Sequence, residues 1–435
     1  MIDSGTSSQS IADIVAATTS GQISCREWAQ SRLDRISSVE AHIGAWAHLD
    51  PQLVLDQADR LDGSPAHGPL HGITVGVKDI IDTQDLPTEF GSEIYRGHRP
   101  RRDAASVALT RRAGGVIVGK TVTTEFANVT PGKTANPFDP SRSPGGSSSG
   151  SAAAVASGMV DIAIGTQTTG STTRPASFCG VVGYRPTFGQ LSTSGVMQVS
   201  GSVDTIGILG RCVEDIAVYR DVLLGVPTKT LPLVSPPRVG FARTNRWLEI
   251  DETTRSLLDD LADRLAANSA SVGEVPWSPS MEGLEEAHRW ITGFEMTRNL
   301  SWEIDNHWDA LSDGLRDGRL RDGESCSEEL YFEMRARAAN SRHELPSLFA
   351  DIDVIVAPAA IGEATPLDDP VPHPWLYRPW TLLHVPVVTL PILKGPNGLP
   401  VGVQLIGRHG EDRFLLAVAN WLEKTLGYPS SYTTG

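Results

Sequence analysis

Residues 71–80, HGITVGVKDI, and the later run 103–121, DAASVALTRRAGGVIVGKT, decide the architecture. In the first, Ile73, Val75 and Val77 alternate with Thr74, Gly76 and Lys78, which is the two-residue period of a β-strand. The second reads as a helix capped by Asp103 and stopped by Gly114 and Gly115, running into the short apolar strand VIVGKT. Strand, helix and strand in this order predict a crossover unit, and so a sheet with substantial parallel pairing.

The alternation extends outward. Before it, SCREWAQSRLDRI opens on a capping box of Ser24 and Glu27, and PQLVLDQADRLD places Pro51 in the first turn of a second helix. After it come the Ala-rich helix SAAAVASGM, the strand VDIAIGT and the loop QTTGSTTRPASFCG. Residues 281–350 read as mostly helical, and DIDVIVAPA, VPVVTLPI and VGVQLIG as further strands before a closing helix near EDRFLLAVANWLEKTL. Strands at both ends of a helical stretch predict one sheet built from both halves of the chain.

Composition narrows the function. With 40% hydrophobic and 20% charged residues, the 435-residue chain has material for a large core. A net charge of −15 without a basic stripe excludes nucleic acid or an anionic membrane as the main partner. The opening MIDSGTSSQS has neither a basic nor an apolar segment, no run of 18 apolar residues occurs, and the four cysteines lack metal-like spacing. These features predict a cytoplasmic protein with reduced thiols. His67 and His71 are four apart, but Gly68 and Pro69 preclude the helix that would align them on a metal.

Between two periodic segments lies SPGGSSSGSAAAV, residues 143–155. Such a run is commonly a linker, yet this one sits inside a dense strand–helix alternation and enters a helix. A small-residue loop at a helix start suits close backbone approach. One reading is a phosphate cradle like that of galactokinase-related small-molecule kinases. The other is a serine relay, for which Ser171 on a second Gly/Thr/Ser loop and the amine of Lys78 supply the remaining parts.

The run from Ser143 through GTQTTGSTTRPASFCGVVGYRPTFG resembles the signature region of the amidase signature family, serine hydrolases with a Ser–cis-Ser–Lys triad. GITVGVKDIIDT resembles that family's lysine strand, and LPVGVQLIG its C-terminal sheet motif. Within the family the pattern is most similar to the malonamidase-like branch. The resemblance implies a single α/β domain over residues 1–435, with a large mixed twisted sheet flanked by helices on both faces. Its signature core would span about 70–225, a more variable helical region about 250–350, and C-terminal strands and helix about 351–430.

The same resemblance implies Ser171 as nucleophile, Ser147 after a cis Gly146–Ser147 bond as bridge, and Lys78 as base. The backbone N–H groups of Thr168, Thr169, Gly170 and Ser171 would form the oxyanion hole, and Arg174 would bind substrate. Neither a metal nor an organic cofactor is required. Ser148 and Ser149 are expected to cap the helix that follows. Gln167 stands where the family usually has Asp, Thr169 replaces a Gly, and Arg174 falls one position late. The expected activity is hydrolysis of small-molecule amides through an acyl-enzyme. The segment HPWLYRPW, with Trp375, Tyr377 and Trp380, suggests an aromatic pocket wall and so neutral aryl or alkyl amides. Carbamates, small dicarboxylic monoamides, and service as the A-type subunit of a tRNA-dependent amidotransferase are the alternatives. Whether the chain forms a homodimer stays open.

Overall fold

Eleven strands form one continuous sheet in the computed structural model, which describes residues 9–428 apart from 245, 276, 278 and 369–373. In chain order they are β1 Trp46–Leu49, β2 Thr74–Lys78, β3 Val116–Thr121, β4 Ile162–Gln167, β5 Val182–Arg185, β6 Thr205–Gly210, β7 Arg238–Ala242, β8 Ser271–Val275, β9 Val354–Pro358, β10 Val387–Lys394 and β11 Pro400–Ile406. Their spatial order is β1-β3-β2-β4-β6-β5-β10-β11-β9-β7-β8. Parallel pairs join β2 to β3 and β4, and β7 to β8 and β9. The other neighbours are antiparallel, so the sheet is mixed and both halves of the chain build it.

The period-two pattern of β2 translates into two covered faces. Ile73, Val75 and Val77 join a core that includes Val107, Ile216 and Leu416 from the helices Ala105–Arg112, Val213–Leu224 and Asp412–Leu426. On the opposite face, Val116, Val118 and Ala163 pack with Ala29, Val54 and Ala152–Ala154, from the helices Cys25–Ile43, Pro51–Asp62 and Ser149–Ala156. The helix Ser149–Ala156 needs small residues because it lies against backbone. A Cβ on Gly150 would collide with the Ala45 carbonyl and the Val122 amide.

Three local expectations change. Asp103 does not cap the helix Ala105–Arg112; its carboxylate instead accepts from Gln84 N and Arg111 Nε. Ser148 sits at the start of Ser149–Ala156 without capping it, because its hydroxyl bonds the Thr166 backbone at 3.2 and 3.3 Å. Ser149 Oγ likewise turns away, donating to Val122 O at 3.4 Å. The backbone of β4 takes the Ser148 hydroxyl, and the residue after β3 takes that of Ser149. The Ser24–Glu27 capping box and Pro51 in the first turn form as read. Among the described residues no helix is long and apolar enough to cross a membrane.

Candidate active site

β2 delivers Lys78 to the C-terminal edge of a strand covered on both faces, and the side chain is fully buried. Its Nζ lies 2.7 Å from Ser147 Oγ and 2.8 Å from Thr166 Oγ1. Neither Asp79 nor Asp82 neutralises it. Asp79 pairs with the buried Lys120 at 3.2 Å instead. Burial without an ion pair pushes the Lys78 amine down to about 7, against the weaker opposing pull of Asp204.

Ser147 follows a cis peptide bond with Gly146, and Gly145 before it has φ +74°. Side chains are excluded here, because a Cβ on Gly145 would press within 2.9 Å of the Pro175 backbone. Arg174 Nη2 donates to Gly146 O at 2.8 Å, and Ser148 N donates to Ser171 O at 3.2 Å. The two Gly/Ser loops are thereby tied together, which brings Lys78, Ser147 and Ser171 to one place. Among the described residues no hydrogen bond joins Ser147 to Ser171, and Ser171 lines a cavity of about 600 Å³.

Gln167 accounts for its own departure from the family pattern. Its Oε1 accepts from Thr172 N at 2.9 Å, Thr173 N at 3.0 Å and Thr173 Oγ1 at 3.2 Å, closing the start of the helix Thr173–Phe178. The preceding N–H groups, of Thr168, Thr169, Gly170 and Ser171, have no acceptor among the described residues. All four residues line the cavity. Such a row of small-residue amides suits developing negative charge.

The aromatic wall expected from HPWLYRPW is absent. His373 lies outside the described residues, while Trp375, Tyr377 and Trp380 are buried behind the cavity, not lining it. Tyr377 packs beneath the loop, where its ring would collide with any Cβ on Gly170, and its hydroxyl donates to Ala359 O at 2.5 Å. Trp380 meets Trp277 edge-on, and Arg246 covers Trp375. Large rings bury most area inside the protein, and here that requirement prevails.

What lines the cavity instead is cationic. Arg174, Arg319 and Arg378 face it, with Asp368 as the one carboxylate among the described residues, beside apolar residues such as Val129, Pro131 and Leu367. Arg319 projects from a π-helical turn, Arg316–Leu320, and its Nη2 donates to Thr169 Oγ1 at 3.4 Å. Arg378 is pushed down to about 10 by burial and by the charge of Arg319, and Glu285 lies 3.7 Å from it. Sequence reasoning missed Arg319; its one local trace is the Gly-interrupted DGLRDGRLRDG, which breaks the helical pattern. Asp204 was missed as well. Its carboxylate accepts from Thr168 Oγ1, Val199 N and Ser200 N at 2.6 to 2.8 Å, and burial pushes it up to about 6.

Among the described residues one donor group could surround a metal, His48, Asp79 and Glu89. The Lys120 ammonium on Asp79 and the 2.9 Å contact of His48 with Glu89 already satisfy it.

Residues 27–416 match the family model described as Amidase. The chain is 30% identical to the A-type subunit of the glutamyl-tRNA(Gln) amidotransferase of Natranaerobius thermophilus, over 93% of each chain. It is 32% identical to the corresponding chloroplastic/mitochondrial protein of Vitis vinifera, over 92% of this chain and 85% of that one. Among solved structures, native peptide amidase from Stenotrophomonas maltophilia is similar at a TM-score of 0.84 and 28% identity, covering 97% of both chains. These likenesses do not single out the malonamidase-like branch. They do place the chain, with its mixed sheet and its paired Gly/Ser loops, in the amidase signature family.

Proposed function

We propose that this chain is a serine amidohydrolase that cleaves the C–N bond of small-molecule amides through an acyl-enzyme on Ser171. The observation that carries the reading is a buried, unpaired lysine held down to about 7 and 2.7 Å from a serine on the loop bonded to Ser171. Neutral Lys78 accepts the Ser147 proton while Ser147 accepts that of Ser171, whose oxygen attacks the carbonyl carbon. The second hydrogen bond of this relay closes when substrate settles the Ser171 side chain, as catalytic contacts often tighten only in the complex. Negative charge on the carbonyl oxygen meets the amides of residues 168–171. Protonated Lys78, through Ser147, returns its proton to the departing nitrogen. Water activated by the same relay then releases the acid.

Among the described lining residues, three guanidinium groups against one carboxylate favour substrates with an apolar body and an acidic group. That preference replaces the neutral aryl amides suggested by the aromatic segment. Arg174 is held to Gly146 O at 2.8 Å, more tightly than Arg319 is held to Thr169 Oγ1 at 3.4 Å or Arg378 to Glu285 at 3.7 Å, so Arg319 and Arg378 are the better candidates to meet the acid. Arg319→Ala or Arg378→Ala is expected to lower kcat/KM for a carboxylated anilide about 10- to 100-fold, with an uncharged anilide and an aryl carbamate changed little. Equal losses on all three, or a wild-type preference for the uncharged compounds, would return the reading to neutral amides or carbamates.

The relatives from glutamyl-tRNA(Gln) amidotransferases support a second reading, as the A-type subunit of a tRNA-dependent amidotransferase. Glutaminase activity that appears only with a co-purifying second chain would favour it.

A further inference from the structure

Three of the four cavity-lining amides, those of Thr169, Gly170 and Ser171, are held from behind. A trans peptide points its carbonyl and N–H to opposite sides, so fixing the carbonyl of one residue aims the amide of the next. Gly170 O accepts from Arg174 N at 2.9 Å, which aims the Ser171 amide from within the loop's own helix. The two preceding carbonyls are anchored from distant parts of the chain. Thr168 O lies 2.9 Å from Nε2 of His288, on the helix Leu284–Asn299. Thr169 O accepts from Thr381 Oγ1, on the helix Arg378–Leu382, also at 2.9 Å.

Both side chains are fully buried, and each meets the loop through the polar atom that its role needs. A carbonyl can only accept, so Nε2 of His288 carries the hydrogen. Nε2 also lies 3.4 Å from Thr169 Oγ1, while Nδ1 is buried with no hydrogen-bond partner among the described residues. Burial pushes the imidazole well below its ordinary range, and the nearby charges of Arg378, Arg319 and Arg185 push it the same way. A histidine out of reach of solvent and bonded to a loop carbonyl is poorly suited to proton transfer. It is well suited to holding a peptide plane.

We infer that His288 and Thr381 are positioning residues of the oxyanion hole, anchoring the Thr168 and Thr169 carbonyls so that the Thr169 and Gly170 amides meet the tetrahedral intermediate. The inference rests on Ser171 as nucleophile. It gives the helical stretch 284–299 and the segment around Thr381 a part in catalysis that touches no substrate.

The test compares His288→Leu, His288→Gln and Thr381→Val with the full-length wild type on one anilide, together with inhibition by phenylboronic acid as a mimic of the tetrahedral state. Leucine and valine remove the donor, whereas glutamine can place an amide N–H near the position of Nε2. Expected are kcat values about 10- to 100-fold lower in His288→Leu and Thr381→Val, with KM within twofold. Boronate affinity should weaken in parallel, and His288→Gln should recover most of the loss. If His288→Leu does not fold, Thr381→Val alone decides by the same criteria. Unchanged kcat, a loss confined to KM, or no rescue by glutamine overturns the inference. Labelling of wild-type Ser171 by a phosphonylating reagent keeps the two failures apart. Labelling with unaffected variants defeats only the positioning role, whereas turnover without any labelling defeats the nucleophile itself.

Discussion

Ser171→Ala is expected to lower kcat/KM on a small anilide by about 10⁴-fold or more, to the background of the assay, with the fold intact. The neighbouring hydroxyls of Thr168 and Thr169 are engaged by Asp204 and by His288 and Arg319, so neither replaces the lost covalent bond. Ser147→Ala and Lys78→Ala should each cost about 10²- to 10⁴-fold, because they remove proton transfer and leave the nucleophile in place. Their residual rates should be larger on activated esters, whose leaving groups need no proton. A Ser171→Ala enzyme close to wild-type activity, measured with circular dichroism to confirm folding, would overturn the relay.

Lys78 serves activity at a cost in stability. The relay needs the neutral amine, and burial holds this group down to about 7. kcat/KM should therefore climb about tenfold per pH unit below pH 7 and level off above it. For stability, the folded state binds fewer protons than the unfolded state between about pH 7 and the ordinary lysine value of 10.5. The unfolding free energy contributed by Lys78 thus rises with pH across that window, and at pH 7 most of the penalty, on the order of 4 kcal/mol, is still present. Lys78→Met keeps the volume and removes the charge. It is expected to raise Tm by a few degrees at pH 7 while losing turnover, a gain that shrinks toward pH 10. Melting curves at the two pH values check this, and a lower Tm at pH 7 would show that the hydrogen bonds of Lys78 outweigh its desolvation.

The legible parts of the candidate site were those whose own local stretch carries a pattern. Lys78 ends a strand whose alternation is plain, and Ser147 and Ser171 stand in loops where Gly, Ser and Thr exclude bulk. Gln167 was visible as an anomaly, though its capping of Thr172 and Thr173 was not. The residues that escaped act across long separations. His288 reaches Thr168 over 120 positions and Thr381 reaches Thr169 over 212, and one hydrogen bond to a carbonyl leaves no periodicity behind. Strands β1, β5, β6 and β8 escaped for a related reason, being short segments whose strand character comes from the neighbours they pair with. The aromatic segment misled because Trp375, Tyr377 and Trp380 supply area to the interior as readily as to a pocket, and only packing distinguishes the two.

The nucleophile is the centre of the account, and it can be read without knowing the substrate. The wild-type enzyme is incubated with a serine-directed phosphonylating reagent, digested and mapped by mass spectrometry. The relay requires one adduct per chain, on Ser171, absent from Ser171→Ala and formed more slowly but at the same residue in Ser147→Ala. An adduct on Ser147, or full inactivation with Ser171 unmodified, contradicts it.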